Sequence, residues 1–157
     1  MFAAHGWIIV RSSRDELRAA ATANLFDELD DVDERIEAAD QVLFDQLEAH
    51  LESVYFASLD YSFTRQLNHQ NGILRYSSAS NHRGDPPAAI GIMEWIGDRG
   101  PDSYGVVFVH DDEDVGETRR CGRSGEDYSG EFRVWVLKGG VICERDDTHL
   151  SPAPMDP

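Results

Sequence analysis

The stretch FRVWVLKGGVICE, residues 132–144, contains two short β-rich runs on either side of a Gly-Gly pair. Phe132 to Leu137 alternates, with Arg133 expected to point outward, and Lys138-Gly139-Gly140 turns the chain into Val141 to Glu144. β-Branched and aromatic residues favour strands, and glycine pairs suit the tight turns of hairpins. The stretch therefore predicts an antiparallel hairpin.

The sequence before this hairpin predicts further strands at 6–11, 56–67, 73–79 and 104–110. A long helix is predicted where apolar residues recur at helical spacing, at Val32, Ile36, Leu43, Leu47, Leu51 and Val54. A second helix is expected over 85–100, with prolines in its first turn. Ser13 and Glu16 have the spacing of a capping box, which favours a short helix there.

These elements follow the order β-α-β-β-α-β-β-β, without the alternating units of a parallel sheet. The prediction is an α+β fold with one mostly antiparallel sheet and two main helices packed on one face. Residues 1–150 are expected to form a single domain, and residues 151–157 a proline-rich tail.

Composition limits the function classes. The 157-residue chain is 41% hydrophobic and carries a formal net charge of −16. Such a charge repels nucleic acid and anionic membranes, and it steers a protein toward cationic partners, although it also serves solubility alone. No basic leader or long apolar segment is present near the start, so a cytoplasmic location is expected.

Residue patterns for catalysis and metal binding fail one by one. The six histidines are scattered, without the helical pair or the paired cysteines of a metal site. An EF-hand register from Asp111 fails, because Val115 and Gly122 stand where oxygen ligands are needed. Cys121 and Cys143 could form one disulfide, but two free thiols are the expectation for a cytosolic protein. The sequence predicts no enzyme activity, no cofactor and no metal.

Two acidic segments remain as candidates for contact with a partner. Asp111, Asp112, Glu113 and Asp114 form a run that follows a predicted strand, a placement that suits recognition. Asp30, Asp31, Asp33 and Glu34 lie at the start of the long helix. The alternative for both segments is a solvated surface.

Five segments occur in order along the chain: His5-Gly6-Trp7, Asn81-His82-Arg83, Ser103-Tyr104-Gly105 with the acidic run 111–114, Phe132 to Leu137, and 144–152. Together they resemble the Immunity protein 7 family of bacterial polymorphic toxin systems. Within the five segments, Trp7 and Trp135 are expected in the core, because large aromatics are usually buried. Gly105 fits a close backbone approach.

The resemblance implies a cytoplasmic antidote, without cofactors, that binds the toxin domain encoded beside it. The leading hypothesis is that the protein occludes the active site or substrate groove of a basic toxin, with residues 111–114 first at the interface and residues 30–34 second. The alternatives are an enzyme that reverses the toxin's modification, and a generic acidic scaffold or nucleic-acid mimic.

Overall fold

The computed structural model describes residues 2–23, 29–53, 59–66, 71–80, 87–112 and 131–147. Their elements in chain order are β1 (Phe2–Val10), α1 (Asp15–Ala23), α2 (Leu29–Ser53), β2 (Leu59–Gln66), β3 (Asn71–Ser80), α3 (Pro87–Arg99), β4 (Tyr104–Asp111), β5 (Phe132–Lys138) and β6 (Val141–Asp146). The predicted order of strands is confirmed. A short third helix, α1, begins two residues after Ser13, whose Oγ accepts a hydrogen bond from the Asp15 N–H.

The strands form one six-stranded sheet in the order β2-β3-β1-β4-β5-β6. All five pairings are antiparallel. The N-terminal strand β1 is therefore central, and it pairs with β3 on one side and with β4 on the other. The fold is the predicted α+β arrangement of an antiparallel sheet with helices on one side.

The main core lies between the helices and one face of the sheet. Ile8 of β1 and Leu74 of β3 are fully buried there, as are Leu47 of α2 and Met93 of α3. The predicted apolar stripe of the long helix is buried from Val32 to Leu51, while Val54 lies outside the described residues. Leu43, Leu47 and Leu51 place α2 against the sheet, whereas Val32 and Ile36 pack against α1.

The β5–β6 hairpin has the predicted turn. Lys138 pairs with Val141, which leaves Gly139 and Gly140 as the two loop residues. Their φ angles are +60° and +72°, a left-handed conformation that a type I′ turn requires and that glycine adopts without a steric penalty. The other predicted turn, at 68–72, lies mostly outside the described residues.

Gly105 marks a close approach of backbones, as predicted. A Cβ atom on this residue would stand 2.3 Å from the Trp7 carbonyl oxygen and 2.6 Å from the Ile8 Cα. Strands β1 and β4 can therefore approach to this distance only because residue 105 has no side chain.

The predicted outward orientation of Arg133 is wrong. Arg133 is 3% exposed and lies on the helix-covered face with Leu137. Its guanidinium forms an ion pair with Glu144 of the adjacent strand, which is 5% exposed. Pairing with a carboxylate offsets part of the cost of burying the arginine, so the simple rule that charged residues face water fails here.

Candidate partner-binding surface

The helices cover one face of the sheet and leave the other face open. Pairing registers place Trp7 beside Arg75 of β3 and Val106 of β4, and they continue this row across β5 and β6. We call this side the open face. Its members with described side chains, in strand order from β2 to β6 across the sheet, are Asp60, Ser62, Thr64, Ile73, Arg75, Ser77, Ala79, Ala3, His5, Trp7, Ile9, Tyr104, Val106, Phe108, His110, Phe132, Val134, Val136, Lys138, Val141, Cys143 and Arg145.

Aromatic side chains occupy the middle of the open face. Trp7 is 43% exposed and Tyr104 is 39% exposed. Their rings meet edge to face, with centroids 6.3 Å apart and an interplanar angle of 89°. Two residues from Trp7 along β1, on the same face, the His5 ring stacks on the Phe108 ring, with the centroids 5.2 Å apart. These contacts between neighbours hold the rings in place on a solvent-facing surface.

Two shallow depressions lie on either side of Trp7. One has a volume of about 550 Å³ and is lined by Trp7, Tyr104, Val136 and Lys138, among others. The other has a volume of about 430 Å³, and its lining includes His5, Ile73 and Arg75. The tryptophan therefore stands between two concave regions, a relief that suits the insertion of side chains from a partner.

Hydrogen bonds from residues 102 and 103 fix the end of the open face near Tyr104. The Ser103 Oγ accepts a bond from the Arg11 N–H at 3.0 Å and donates one to the Arg11 carbonyl at 3.1 Å. The Asp102 carboxylate accepts bonds from the Arg14 N–H at 2.6 Å and from the Arg18 guanidinium at 3.0 Å. The connection from β1 to α1 is thereby held against the start of β4.

The two described residues of the first acidic segment, Asp111 and Asp112, differ in their exposure to solvent. Asp111 is the last residue of β4 and is 5% exposed, because the alternation of the strand turns it to the helix-covered face. The expectation that it lies in an exposed loop is therefore wrong. Asp112 is exposed, and Glu113 and Asp114 lie outside the described residues. The contact of this segment with a partner stays a prediction.

The second acidic segment lies on the first turns of α2. Asp31, Asp33 and Glu34 are exposed, and the Asp30 side chain lies outside the described set. Arg35, next to them, forms an ion pair with Glu16 of α1, so this end of α2 lies beside α1. An interface role for these carboxylates also stays a prediction.

The described residues of the two acidic segments lie far apart. Contacts of Arg14 and Arg18 with Asp102 place α1 near the Tyr104 end of β4, and the start of α2 lies with it. Asp111 lies at the opposite end of β4, a strand of eight residues that spans about 23 Å at about 3.3 Å per residue. A partner that touched both Asp112 and the start of α2 would have to extend along the whole strand.

The residues that sequence reasoning missed are those of the open face, above all Trp7, which was expected in the core. In GWII every position from Trp7 to Ile9 is apolar, so alternation does not reveal which face is covered. The clearest signal was in β3, where Arg75 stands between Leu74 and Tyr76. Its charge marks the uncovered face, and the pairing of Arg75 with Trp7 then places the tryptophan there.

Within the described ranges, no group of three or more histidine, cysteine, aspartate or glutamate side chains is arranged to hold a metal ion. The Cys143 thiol of β6 is free, while Cys121 lies outside these ranges. No helix among the described residues has the length and apolar character needed to span a bilayer.

Comparison with protein families decides the identity of the chain. The model of the family described as Immunity protein 7 matches residues 1–156. The chain belongs to the Immunity protein 7 family. Membership makes this chain an immunity protein, and it implies a cognate toxin as the partner. No curated protein and no solved structure matches this immunity protein.

Proposed function

We propose that this immunity protein neutralises its toxin without catalysis, by forming a stoichiometric complex that covers the toxin's active site or substrate groove. The observation that carries the proposal is the family match over residues 1–156. The open face supports it, because a wide sheet surface with exposed aromatic rings suits a stable protein interface.

The charge of the chain supports a basic toxin that acts in the cytoplasm. A net charge of −16 attracts a positively charged protein over the distances at which encounters begin. Toxin enzymes that act on nucleic acid or nucleotides need cationic grooves for phosphate groups. We propose that Asp112, Glu113 and Asp114 face such a groove, with Asp30, Asp31, Asp33 and Glu34 as the second candidate segment.

The first experiment is co-purification with the toxin domain encoded by the neighbouring gene, followed by titration of toxin activity with the immunity protein. We expect a stable complex and complete inhibition near one equivalent. Protection far below one equivalent, without a stable complex, would instead indicate an enzyme that reverses the toxin's modification. Weak binding to several unrelated basic proteins would indicate an acidic scaffold.

A further inference from the structure

We propose that the open face is the surface that docks on the toxin, and that it takes an apolar patch flanked by carboxylates. This inference rests on the proposed function, because it names the part of the immunity protein and the chemistry of the toxin surface that meet in the complex.

The first argument is the concentration of exposed apolar surface. Among the described residues, five large hydrophobic side chains are exposed: Trp7, Val42, Tyr61, Tyr104 and Val141. Three of these five, Trp7, Tyr104 and Val141, lie on the open face. Trp and Tyr supply much of the binding energy at protein interfaces, because they bury a large area with few rotatable bonds. A patch of this kind on a folded chain marks an interaction surface.

The second argument is the sign of the charge on this face. Arg75, Lys138 and Arg145 are exposed on it, and none of the three forms an ion pair with another described residue. Among the described open-face side chains of the strands, Asp60 of β2 is the one carboxylate, and Asp102, which lines the larger depression, is paired with Arg18. In a chain with a net charge of −16, this face is therefore locally basic.

The charge decides between occupants. A second copy of the chain, docked through the same face about a two-fold axis, would set Arg75, Lys138 and Arg145 of one copy against the same basic face of the other. A basic toxin groove would likewise meet cations here. A toxin surface with an apolar patch would pack against the aromatic rings, and carboxylates around that patch would pair with the flanking cations. Complementary charge of this kind gives specificity and speeds association.

The depressions beside Trp7 fit the same occupant. The larger is lined by three basic residues, Arg11, Arg18 and Lys138, with the carboxylate of Asp102 beside Arg18, and the smaller is lined by Arg75. An apolar side chain entering either depression would place neighbouring carboxylates near Lys138 or Arg75. We therefore expect the toxin residues that contact Trp7 to be aliphatic or aromatic, with acidic residues within one or two positions of them.

The apolar contribution is tested by Trp7→Ser, with Val42→Ser as the matched control. Val42 is 56% exposed on α2, on the other side of the sheet. Binding to the toxin domain encoded by the neighbouring gene would be measured by calorimetry, with thermal unfolding to verify that both variants fold. Trp7→Ser is expected to raise the Kd about thirtyfold or more, the effect of losing a hot-spot aromatic. Val42→Ser is expected to leave the Kd nearly unchanged.

The charge contribution is tested by Arg75→Glu, with Arg99→Glu as the control of equal charge change. Arg99 is exposed at the end of α3, on the other side of the sheet from Arg75. At low ionic strength, Arg75→Glu is expected to slow association severalfold, and Arg99→Glu to change it much less. Faster association of Arg75→Glu would mean that the opposing toxin surface is basic, which overturns the inference.

The outcomes separate this inference from the proposed function. Failure of the wild-type protein to bind or inhibit the toxin removes both. Tight binding and inhibition that Trp7→Ser and Arg75→Glu leave unchanged removes the inference alone. A wild-type dimer that Trp7→Ser converts to monomer, with toxin affinity unchanged, would assign the face to a second copy and also overturns the inference.

Discussion

At the scale of single residues, Asp40 is the clearest structural anchor. It lies on α2 with 1% exposure, and its carboxylate accepts bonds from the Ser12 N–H at 2.7 Å and from the Arg14 guanidinium. Removing the carboxylate leaves a mostly buried arginine without this partner. Asp40→Ala is therefore expected to lower the free energy of unfolding by about 3–5 kcal/mol. Chemical denaturation would measure the loss, with the exposed Asp33→Ala as a control that should stay within about 0.5 kcal/mol.

Two glycines are expected to respond to alanine in opposite ways. At Gly105 a Cβ atom would overlap the backbone of β1, whereas at Gly91 of α3 nothing lies within 4 Å of the added carbon. Gly105→Ala should destabilise the fold by about 1–3 kcal/mol through overpacking. Gly91→Ala should stabilise it by about 0.5–1 kcal/mol, because alanine loses less backbone entropy in a helix. Thermal unfolding of both variants beside the wild type would test this, and equal shifts of the melting temperature would contradict the prediction.

Single residues also show where prediction from sequence fails. The close backbone approach at Gly105 was predicted correctly, because it depends on a property of the residue itself, the lack of a side chain. Arg133, Asp111 and Trp7 were placed on the wrong side because their burial depends on partners from distant segments. Glu144 compensates the charge of the buried Arg133, and the described helices all pack on the other face of the sheet from Trp7, which is 43% exposed. Polarity alone cannot supply such tertiary context.

At the scale of elements, a three-membered stack joins the end of α2 to α3. The His50 ring stacks on Trp95 with centroids 4.8 Å apart, and the Arg99 guanidinium lies 4.4 Å from the Trp95 centroid. Burial, and then the positive charge of Arg99, lower the pKa of His50 below its ordinary value of about 6.5. The contact between the two helices therefore favours the neutral imidazole.

This arrangement predicts a loss of stability in mild acid. As the pH falls below about 6.5, the unfolded chain binds a proton at His50 before the folded chain does, so protonation lowers the free energy of the unfolded state relative to the folded state. The contribution is fully present above that pH and is lost toward the lowered pKa of the folded state. His50→Phe keeps a ring on Trp95 and removes the titration. Denaturation at pH 7.5 and 5.5 should show a smaller acid loss in the variant than in the wild type, and an equal loss would refute the assignment.

Elements themselves could be predicted where a local pattern determines them. The stripe from Val32 to Leu51 indicates a helix, and the Gly139-Gly140 pair indicates a hairpin, because periodicity and φ preference act within a few residues. The end of β4 was set one residue early, since its last pairing, Asp111 with Phe2, depends on a strand at the other end of the chain. Antiparallel topology followed from the hairpins, but the central position of β1 did not.

At the scale of the whole molecule, charge is divided between the two sides of the sheet. The helix side carries most of the described carboxylates, including Asp31, Asp33 and Glu34, whereas the open face carries Arg75, Lys138 and Arg145. A toxin with a net positive charge would be attracted by the molecule as a whole and still meet cations at the contact. Long-range attraction and local complementarity are thus assigned to different surfaces, and mutations can separate them.

The last prediction tests the acidic side alone. Asp31→Asn with Asp33→Asn removes two exposed charges near the start of α2, and Glu52→Gln with Asp98→Asn removes two exposed charges elsewhere on the helix side. If the start of α2 faces a basic groove, the first pair should slow association with the toxin severalfold at roughly 0.01 M ionic strength, and the second pair should slow it less. At roughly 0.15 M the difference should shrink, because the Debye length falls from about 30 Å to about 8 Å. Equal rates for the two pairs at low salt would mean that these carboxylates act only through net charge, and would leave the open face as the surface that determines how the toxin docks.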